Sequence, residues 1–507
     1  MIELNGATLT IEEVVRVSRL REEAEIPAEA RVAINHSRAH VEAMLKSGDA
    51  IYGLTTGFGK FSDKRIADED TEELQRNLIV SHSCGTGEPL PTEAVRAVML
   101  LRLNALASGF SGIRLSTMET LLAMLNRGVH PIIPEKGSLG ASGDLVPLAH
   151  MVLPMIGEGL AEYQGEITTG AEAMRRAGIE PIKLAAKEGL ALINGTQVMT
   201  GIGALCVYDA VNLSKIADIV AALTCEAQSC ITSAFDPRVH LLRGHLGQIE
   251  CAENLRNLLA GSSLSGENIP GKVQDAYSIR CIPQIHGASR DAVQYVFDAV
   301  SCEINAVTDN PLIFPKEGDV ISGGNFHGQP MALALDFLAI ALAEFADVSE
   351  RRTERLVNPA LNNNLPAFLT PNGGLNSGFM IAQYAAASLV SENKILAHPA
   401  SVDSIPSSAN QEDHVSMGTI AARKAVEILK NVQRVLAIEL FAAGQAVGMI
   451  GAEKLAPATR AVFDMLRQEV PQVDRDILMY EQMAKCERIV ISGRLISVVE
   501  AITGELN

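Results

Sequence analysis

The amino-acid sequence predicts a mainly α-helical protein built on a bundle of long helices. Hydrophobic residues make up 47% of its 507 residues, but aromatic residues make up only 4% and tryptophan is absent. A core of Ala, Leu, Ile, Val and Met side chains favours packed helices over a sandwich of sheets. Residues 432–452 are almost all apolar, and a helix that is apolar on every face has to be buried. Strand patterns are few and short, and the sequence has no repeat of the kind that builds a solenoid.

The helical pattern starts close to the amino terminus. Thr10 and Glu13 match a capping box that opens a helix over residues 11–20. The periodicity predicts another helix over residues 72–80, and residues 95–128 have the pattern of one long helical run. The amino-terminal region is therefore expected to be helical as well.

Two polar segments interrupt the apolar helices that follow. Residues 350–355 are a run of charges, whose simplest interpretation is a solvated helix end. Gln274, Tyr277 and Arg280 recur at positions i, i+3 and i+6, which places them on roughly one face of a helix. Such groups usually face solvent, but here their neighbours are Pro, Gly and Cys rather than Lys and Glu.

The charge of the chain excludes some classes of partner. The formal net charge is −18, and phosphate binding relies on clusters of Lys and Arg, so nucleic acid is not expected as a partner. The first residues lack the basic and apolar regions of a signal peptide. Asp336 and Glu344 interrupt the apolar residues 331–348, so no membrane span is expected. The sequence thus predicts a cytoplasmic protein.

The cysteines are scattered along the chain. There are eight of them, and none forms a C-x-x-C pair, so the spacing predicts neither a zinc cluster nor a disulfide framework. Free thiols in a reducing cytoplasm are the expected state.

The most informative stretch is the loop segment 137–149, GSLGASGDLVPLA. Its centre is Ala141-Ser142-Gly143, three small residues that permit tight backbone conformations. If the amide nitrogen of Gly143 reaches the carbonyl carbon of Ala141, a five-membered ring closes. Loss of two waters, one from the ring and one from the Ser142 hydroxyl, then leaves an exocyclic methylidene. Glycine suits the attacking position because no Cβ blocks the nitrogen.

The simpler alternative is a Gly-rich turn with Ser142 as the N-cap of a following helix. However, the whole segment resembles the signature of the aromatic amino acid ammonia-lyases. In that family the Ala-Ser-Gly triad forms 4-methylideneimidazole-5-one, abbreviated MIO. The resemblance implies that Ala141, Ser142 and Gly143 form this group autocatalytically, with no external cofactor and no metal.

Further motifs follow in the order of the family. They are the Gly-rich loop around Tyr52, Ser81-His82, Asn194-Gly195-Thr196, residues 274–280, residues 323–327 and residues 408–414. The resemblance implies a long central helical bundle of the fumarase/aspartase-like type. Residues 1–110 would form a smaller region with Tyr52 and His82, and residues 111–507 would hold the MIO segment and the bundle. It also implies a homotetramer whose active sites are shared between subunits.

The resemblance also implies roles for individual residues. Tyr52 is the candidate base, and because a free phenol titrates near about 10, its surroundings would have to lower that pKa. Arg280 matches a substrate carboxylate, since a guanidinium binds two oxygens in one plane. The remaining candidates are donors to the carboxylate or to the MIO oxygen and an apolar wall near the ring: Asn194, Gln274 and Tyr277 as donors, and Phe326 as the wall.

Substrate choice is expected to depend on His82 and Glu412. Relatives specific for phenylalanine or tyrosine carry Phe-Leu or His-Leu in place of Ser81-His82 and lack an acid at the position of Glu412. An imidazole ring needs polar partners for its nitrogens, because a buried polar group without a partner is costly. His82 and Glu412 can supply them. The expected reaction is the elimination of ammonia from L-histidine to give trans-urocanate, the first step of histidine degradation.

Two alternatives stay open at this point. The nearer one is another MIO enzyme, either a tyrosine or phenylalanine ammonia-lyase or an aromatic 2,3-aminomutase. The more distant one is a helical assembly protein without catalysis, in which no MIO would form. Within the favoured reaction, the sequence does not decide whether the electrophile takes up the amine or the imidazole of the substrate.

Overall fold

The computed structural model describes residues 1–47 and 70–507. The described residues form nineteen α-helices and nine short strands, so the prediction of a mainly α-helical fold is confirmed. Among the described residues, no helix has the length and apolar character needed to cross a lipid bilayer. All eight cysteines are free thiols in the structure.

The helices are α1 Ile11–Arg19, α2 Ala28–Ser47, α3 Thr71–His82, α4 Thr92–Ala107, α5 Leu115–Arg127, α6 Leu145–Val152, α7 Gly170–Arg176, α8 Glu188–Ile193, α9 Gln197–Ala227, α10 Pro237–Leu241, α11 Leu246–Leu259, α12 Tyr277–Arg280, α13 Ile282–Glu303, α14 Gln329–Val357, α15 Met380–Leu396, α16 Gly418–Ile450, α17 Pro457–Glu469, α18 Met479–Ile491 and α19 Arg494–Thr503. The strands are β1 Ile2–Glu3, β2 Ala24–Glu25, β3 Thr86–Pro89, β4 Val129–Pro131, β5 Pro134–Lys136, β6 Leu160–Tyr163, β7 Glu166–Thr169, β8 Leu312–Phe314 and β9 Asp319–Ile321.

The strands pair only in small sheets. β1 pairs with β2 in parallel, whereas β3 pairs with β5, β8 with β9, and β4, β6 and β7 with one another in antiparallel order. None of these strands exceeds four residues within the described part of the chain. The strands therefore shape the connections between helices rather than forming a core of their own.

The chain divides into two compact units, each made of interleaved segments. The first unit contains Met1–Tyr208, Phe297–Asp336 and Pro399–Arg423, and the second contains Asp209–Val296, Phe337–His398 and Lys424–Asn507. The sequence-based division into residues 1–110 and 111–507 is a different one and stays a prediction.

The amino-terminal helices of the first unit follow the sequence pattern with one exception. The capping box of α1 is present: Glu13 N donates to Thr10 Oγ1 at 3.2 Å, and Thr10 N donates to Glu13 Oε2 at 3.0 Å. The long run predicted over residues 95–128, in contrast, is broken into α4 and α5. Gly109 and Gly112 both adopt positive φ at the break and lie so close to α2 that a Cβ would clash there. The contact with α2 therefore ends α4.

The run of charges at residues 350–355 does not form a solvated helix end. It lies inside α14, and Arg352 is fully buried. Its guanidinium pairs with the buried carboxylate of Glu439 on α16, which also accepts hydrogen bonds from Ser349 Oγ and Thr224 Oγ1 at 2.6 and 2.7 Å. The sequence-based interpretation is wrong here because the partner that permits burial is far away along the chain.

The second unit, which contains the pair between Arg352 and Glu439, also holds a buried cluster centred on Asp218. Its Oδ1 accepts hydrogen bonds from Cys251 Sγ at 3.1 Å and His286 Nδ1 at 2.7 Å, and its Oδ2 pairs with Arg290 at 2.8 Å. Burial alone would raise the pKa of Asp218, but Arg290 and His286 outweigh it and hold that pKa well below its usual value.

We predict that Asp218→Asn strongly destabilises the second unit. The substitution leaves the Arg290 guanidinium buried without its counter-ion, which costs about 3–5 kcal/mol. Urea denaturation followed by circular dichroism measures the change in the free energy of unfolding. The control is Asp464→Asn, which breaks the exposed pair between Arg460 and Asp464 and should cost less than about 1 kcal/mol. Equal losses in the two variants would contradict the prediction.

Candidate active site

The loop between β5 and α6 is the centre of the site. α6 begins at Leu145, and the residue at its N-cap is Asp144, which makes no side-chain capping bond. The segment is a Gly-rich turn that leads into α6, but Ser142 does not cap the helix, so that part of the simpler interpretation is wrong. The loop has to be explained by the contacts that it makes.

Gly143 is pressed against the backbone of Gly195. Asp144 N donates to Gly195 O at 2.7 Å, and a Cβ on Gly143 would overlap that carbonyl oxygen. Gly143 has a φ of +71°, a region that residues with a side chain avoid. Isolated backbone pairings join Gly143 to Gly140, to Ala141 and to Gly195. The tripeptide is thus folded back on itself, and only glycine fits at position 143.

The carboxyl group of Asp144 anchors the carboxyl-terminal end of the loop. Its Oδ2 accepts hydrogen bonds from Val198 N and Met199 N at the start of α9, both at 2.9 Å. Its Oδ1 accepts from Ser138 Oγ at 3.0 Å and from Thr419 Oγ1. Burial raises the pKa of Asp144, and these four donors oppose that effect. The sequence analysis missed Asp144 because it follows the triad as an ordinary helix-starting residue.

The other end of the loop is held by residues just before α16. Met417 N donates to Leu139 O at 3.0 Å, and Ser416 Oγ donates to Gly140 O at 3.3 Å. Both ends of the Ala-Ser-Gly tripeptide are therefore fixed by neighbours within the first unit.

A cavity of about 260 Å³ opens over the loop. It lies within the first unit and is lined by Ser81, His82, Cys84, Gly137, Ser138, Leu139, Gly140, Ala141, Ser142, Gly143, Leu145, Val146, Ser407 and Glu412. The structure thus brings together the triad, His82 and Glu412, which are distant in the sequence.

Glu412 is directed at the triad. Ser142 Oγ donates to its Oε1 at 3.3 Å, and Ser407 Oγ donates to its Oε2 at 3.1 Å. Backbone hydrogen bonds between Ser407 and Glu412, at 2.9 and 3.3 Å, fold this segment into a tight turn. The carboxylate is therefore held in a defined place at the cavity wall.

His82 is the last residue of α3, so this helix ends two residues later than predicted. Ser81 Oγ lies 3.1 Å from His82 Nδ1 and donates its only proton to Leu78 O at 3.2 Å. We infer the tautomer in which Nδ1–H donates to this serine oxygen, which leaves the lone pair of the ring on Nε2. Burial lowers the pKa of His82, and the nearby charge of Glu412 only partly opposes this. We infer that His82 is neutral and presents an acceptor.

Asn194 is buried directly before Gly195. Its backbone oxygen accepts from the fully buried Arg102 Nη1 at 2.8 Å, and its Nδ2 donates to Asn310 O at 3.4 Å. Its Oδ1 has no hydrogen-bond partner among the described residues. Arg102, which the sequence analysis did not single out, thus supports the Asn194-Gly195 turn from the core side.

Phe326 is half-buried in the same unit and is not among the residues that line the cavity.

The other predicted site residues are placed elsewhere. Gln274, Tyr277 and Arg280 belong to the second unit and are not among the described residues that line the cavity. They do not share one helical face, because α12 covers only Tyr277–Arg280 and Gln274 precedes it. The Arg280 guanidinium lies 4.6 Å from the centre of the Tyr277 ring, and Arg280 Nε donates to Asp275 O at 3.0 Å. Tyr52 lies outside the described residues.

Comparison with known proteins gives concordant matches. The sequence model of the family described as aromatic amino acid lyase matches residues 9–468. Curated relatives include proteins named histidine ammonia-lyase from Alkaliphilus oremlandii and Alkaliphilus metalliredigens. Each is 61% identical to this chain; the first alignment covers 98% of both chains, and the second covers 100% of this chain and 99% of the relative.

Solved structures match over the same length. The histidine ammonia-lyase from Trypanosoma cruzi is 42% identical, with a TM-score of 0.93 over 99% of this chain and 95% of that one. The tyrosine aminomutase from Streptomyces globisporus is 38% identical, with a TM-score of 0.96 over 100% of both chains. From the match to the family model and the identity along nearly the whole length, we conclude that the chain belongs to the aromatic amino acid lyase family.

Proposed function

We propose that the chain eliminates ammonia from L-histidine to give trans-urocanate. The observation that carries this proposal is that Ser142, His82 and Glu412 line one cavity. The 61% identity to proteins named histidine ammonia-lyase supports the same substrate. The reaction is that of a carbon–nitrogen lyase and would be the first step of histidine degradation. A cytoplasmic location, with neither nucleic acid nor membrane as a partner, is part of the proposal.

The proposal includes an MIO group made from Ala141, Ser142 and Gly143. The amide nitrogen of Gly143 bonds to the carbonyl carbon of Ala141, and two waters leave. The fit of the residues supports this step, since the tripeptide is folded back on itself and position 143 has no space for a side chain. The group would supply an electrophile that activates the substrate towards loss of ammonia, by taking up either its amine or its imidazole.

The polar groups of the cavity explain the choice of ring. His82 presents the lone pair of Nε2, and Glu412 presents carboxylate oxygens. Both groups accept hydrogen bonds, so they favour a ring that carries N–H donors. Imidazole has one such donor and imidazolium has two, whereas a phenyl ring has none and would leave both acceptors unpaired. In this proposal the two acceptors favour a ring with N–H donors over a phenyl ring.

The remaining roles are proposed from the family resemblance. Tyr52 would remove the β-proton, Arg280 would bind the carboxylate, and the supporting positions would be Asn194, Gln274, Tyr277 and Phe326. Because Tyr277 is 68% exposed in the second unit, it is available to a second copy of the chain. This availability supports a homotetramer in which subunits share active sites.

We predict that Ser142→Ala lowers kcat by several orders of magnitude while the protein stays folded. Without the hydroxyl group no methylidene can form, whereas Ser142→Cys retains a leaving group, because loss of H₂S can replace loss of water. Intact mass spectrometry should find the wild type lighter than its sequence by two waters. Ser108→Ala removes a serine hydroxyl that, among the described residues, is bonded only to Ala105 O, and it should behave as the wild type. A wild-type protein of full sequence mass would refute ring formation.

We predict that combining His82→Leu with Glu412→Gln shifts specificity from histidine towards phenylalanine. Loss of a buried hydrogen-bond partner costs about 1–3 kcal/mol, which corresponds to about tenfold or more in kcat/KM for histidine. The apolar ring loses no such partner. Steady-state assays with histidine, phenylalanine and tyrosine measure the three values side by side.

The control for this prediction is Arg280→Lys. It should lower kcat/KM for all three amino acids alike, because they share the carboxylate. If the double variant stays folded and loses histidine and phenylalanine turnover in the same proportion, the histidine assignment is wrong. Formation of a β-amino acid by the wild type would instead favour an aminomutase, and preferred turnover of tyrosine or phenylalanine would favour another ammonia-lyase of the family.

We predict that the active form is an oligomer larger than one chain. Apolar side chains are exposed on neighbouring helices of the second unit, where Tyr295 contacts Phe337 and Ile340 lies nearby on the same helix. Phe337→Glu places a charge in this patch and should lower both the molar mass seen by light scattering and the activity. Ile502→Glu, on the exposed end of α19, is the control. An active monomer would contradict the prediction.

A further inference from the structure

The hydroxyl group of Thr419 has no role in the proposed reaction. Thr419 is buried in the first turn of α16, and its Oγ1 donates to Asp144 Oδ1 while lying 3.2 Å from Ser138 Oγ. It does not line the cavity. Thr419 therefore contacts the loop from outside the cavity, through the carboxyl group of Asp144.

Asp144 transmits that contact directly to the tripeptide. It follows Gly143, and its backbone N–H is fixed on Gly195 O at 2.7 Å. Its Oδ2 is held by the first amides of α9, and its Oδ1 by Thr419 and Ser138. α9 thus contributes two backbone amides and α16 one side-chain hydroxyl to the same carboxyl group, and the amide end of α9 favours negative charge there.

The same short segment that holds Asp144 also holds the other end of the loop. Ser416 Oγ donates to Gly140 O, Met417 N donates to Leu139 O, and Thr419 Oγ1 donates to Asp144. Residues 416–419 therefore contact the chain on both sides of Ala141-Ser142-Gly143. This one short segment, which leads into α16, thus contacts both ends of the tripeptide.

We propose that residues 416–419 act as a clamp that holds the tripeptide bent for ring closure, with Thr419 as a positioning residue. This proposal rests on the proposed function. In the closure, the Gly143 nitrogen bonds to the Ala141 carbonyl carbon. The Ala141 oxygen leaves as water with the protons of the Gly143 and Ser142 nitrogens. The second water takes the Ser142 hydroxyl and its Cα proton. The clamp supplies no atom to these steps and acts only on geometry.

The size of the effect follows from the demands of an intramolecular reaction. Misplacement of the reacting atoms by about 1 Å costs on the order of 100-fold in rate. Thr419→Val keeps the shape of the side chain but loses the hydrogen bond, so ring closure should slow by about 10- to 100-fold. Thr419→Ser keeps the hydroxyl and should close within about twofold of the wild-type rate, because the hydrogen bond is retained.

The experiment follows intact mass with time in freshly synthesised full-length protein. The readout is the fraction that is two waters lighter than the sequence, measured beside the thermal midpoint of unfolding. The matched control is Thr459→Val. Thr459 lies in the first turn of α17, and its Oγ1 donates to the buried carboxyl group of Glu226. This variant therefore loses an equivalent hydrogen bond in the second unit. It should lose thermal stability and close its ring at the wild-type rate.

Slow closure in Thr419→Val, with rescue by Thr419→Ser, supports the clamp. If the wild type closes its ring and Thr419→Val closes it at the same rate, the clamp is overturned and the proposed function stands. If the wild type keeps its full mass, both are overturned. Should Thr419→Val fail to fold, Ser416→Ala tests the other end of the clamp: slower closure supports the proposal, and an unchanged rate overturns it.

Discussion

The contact between Gly143 and Gly195 is the constraint on which the site depends. The backbone of Gly195 leaves no space for a side chain on Gly143, and the amide of Asp144 ties the two segments together at 2.7 Å. Because Gly195 precedes α9 and Arg102 supports it from the core, the flexible glycine-rich loop takes its position from rigid helices. The Ala-Ser-Gly tripeptide on this loop thereby takes its position from a helical scaffold.

The buried charges of the two units are balanced in different ways. In the first unit Glu188 pairs with Arg114 and Lys187 with Asp309, and in the second unit Glu439 pairs with Arg352. Asp144 is instead surrounded by two amides and two hydroxyl groups. Neutral donors hold this carboxyl group without placing a guanidinium or ammonium group against the loop. Burial raises the pKa of Asp144, and these neutral donors oppose that effect only in part.

Much of the fold could be predicted from local patterns, and the errors arose where residues distant in the sequence determine the local structure or burial. The capping box of α1 and the helical class depend on neighbours in the sequence, and both predictions are confirmed. The break between α4 and α5 depends on the approach of α2 to Gly109. The burial of Arg352 depends on Glu439, which lies 87 positions further along the chain. No local pattern contains such partners.

For the candidate site, too, some features could be predicted from the sequence and others are visible only in the structure. The resemblance could select Ser142, His82 and Glu412, but only the structure brings them to one cavity and shows what holds each side chain. Ser81 Oγ lies 3.1 Å from His82 Nδ1, and Ser407 Oγ donates to Glu412 Oε2 at 3.1 Å. Each polar group is thus left with acceptor capacity towards the triad. Because an acceptor is satisfied only by a donor, the proposed ring recognition would depend on these two serines as much as on His82 and Glu412 themselves.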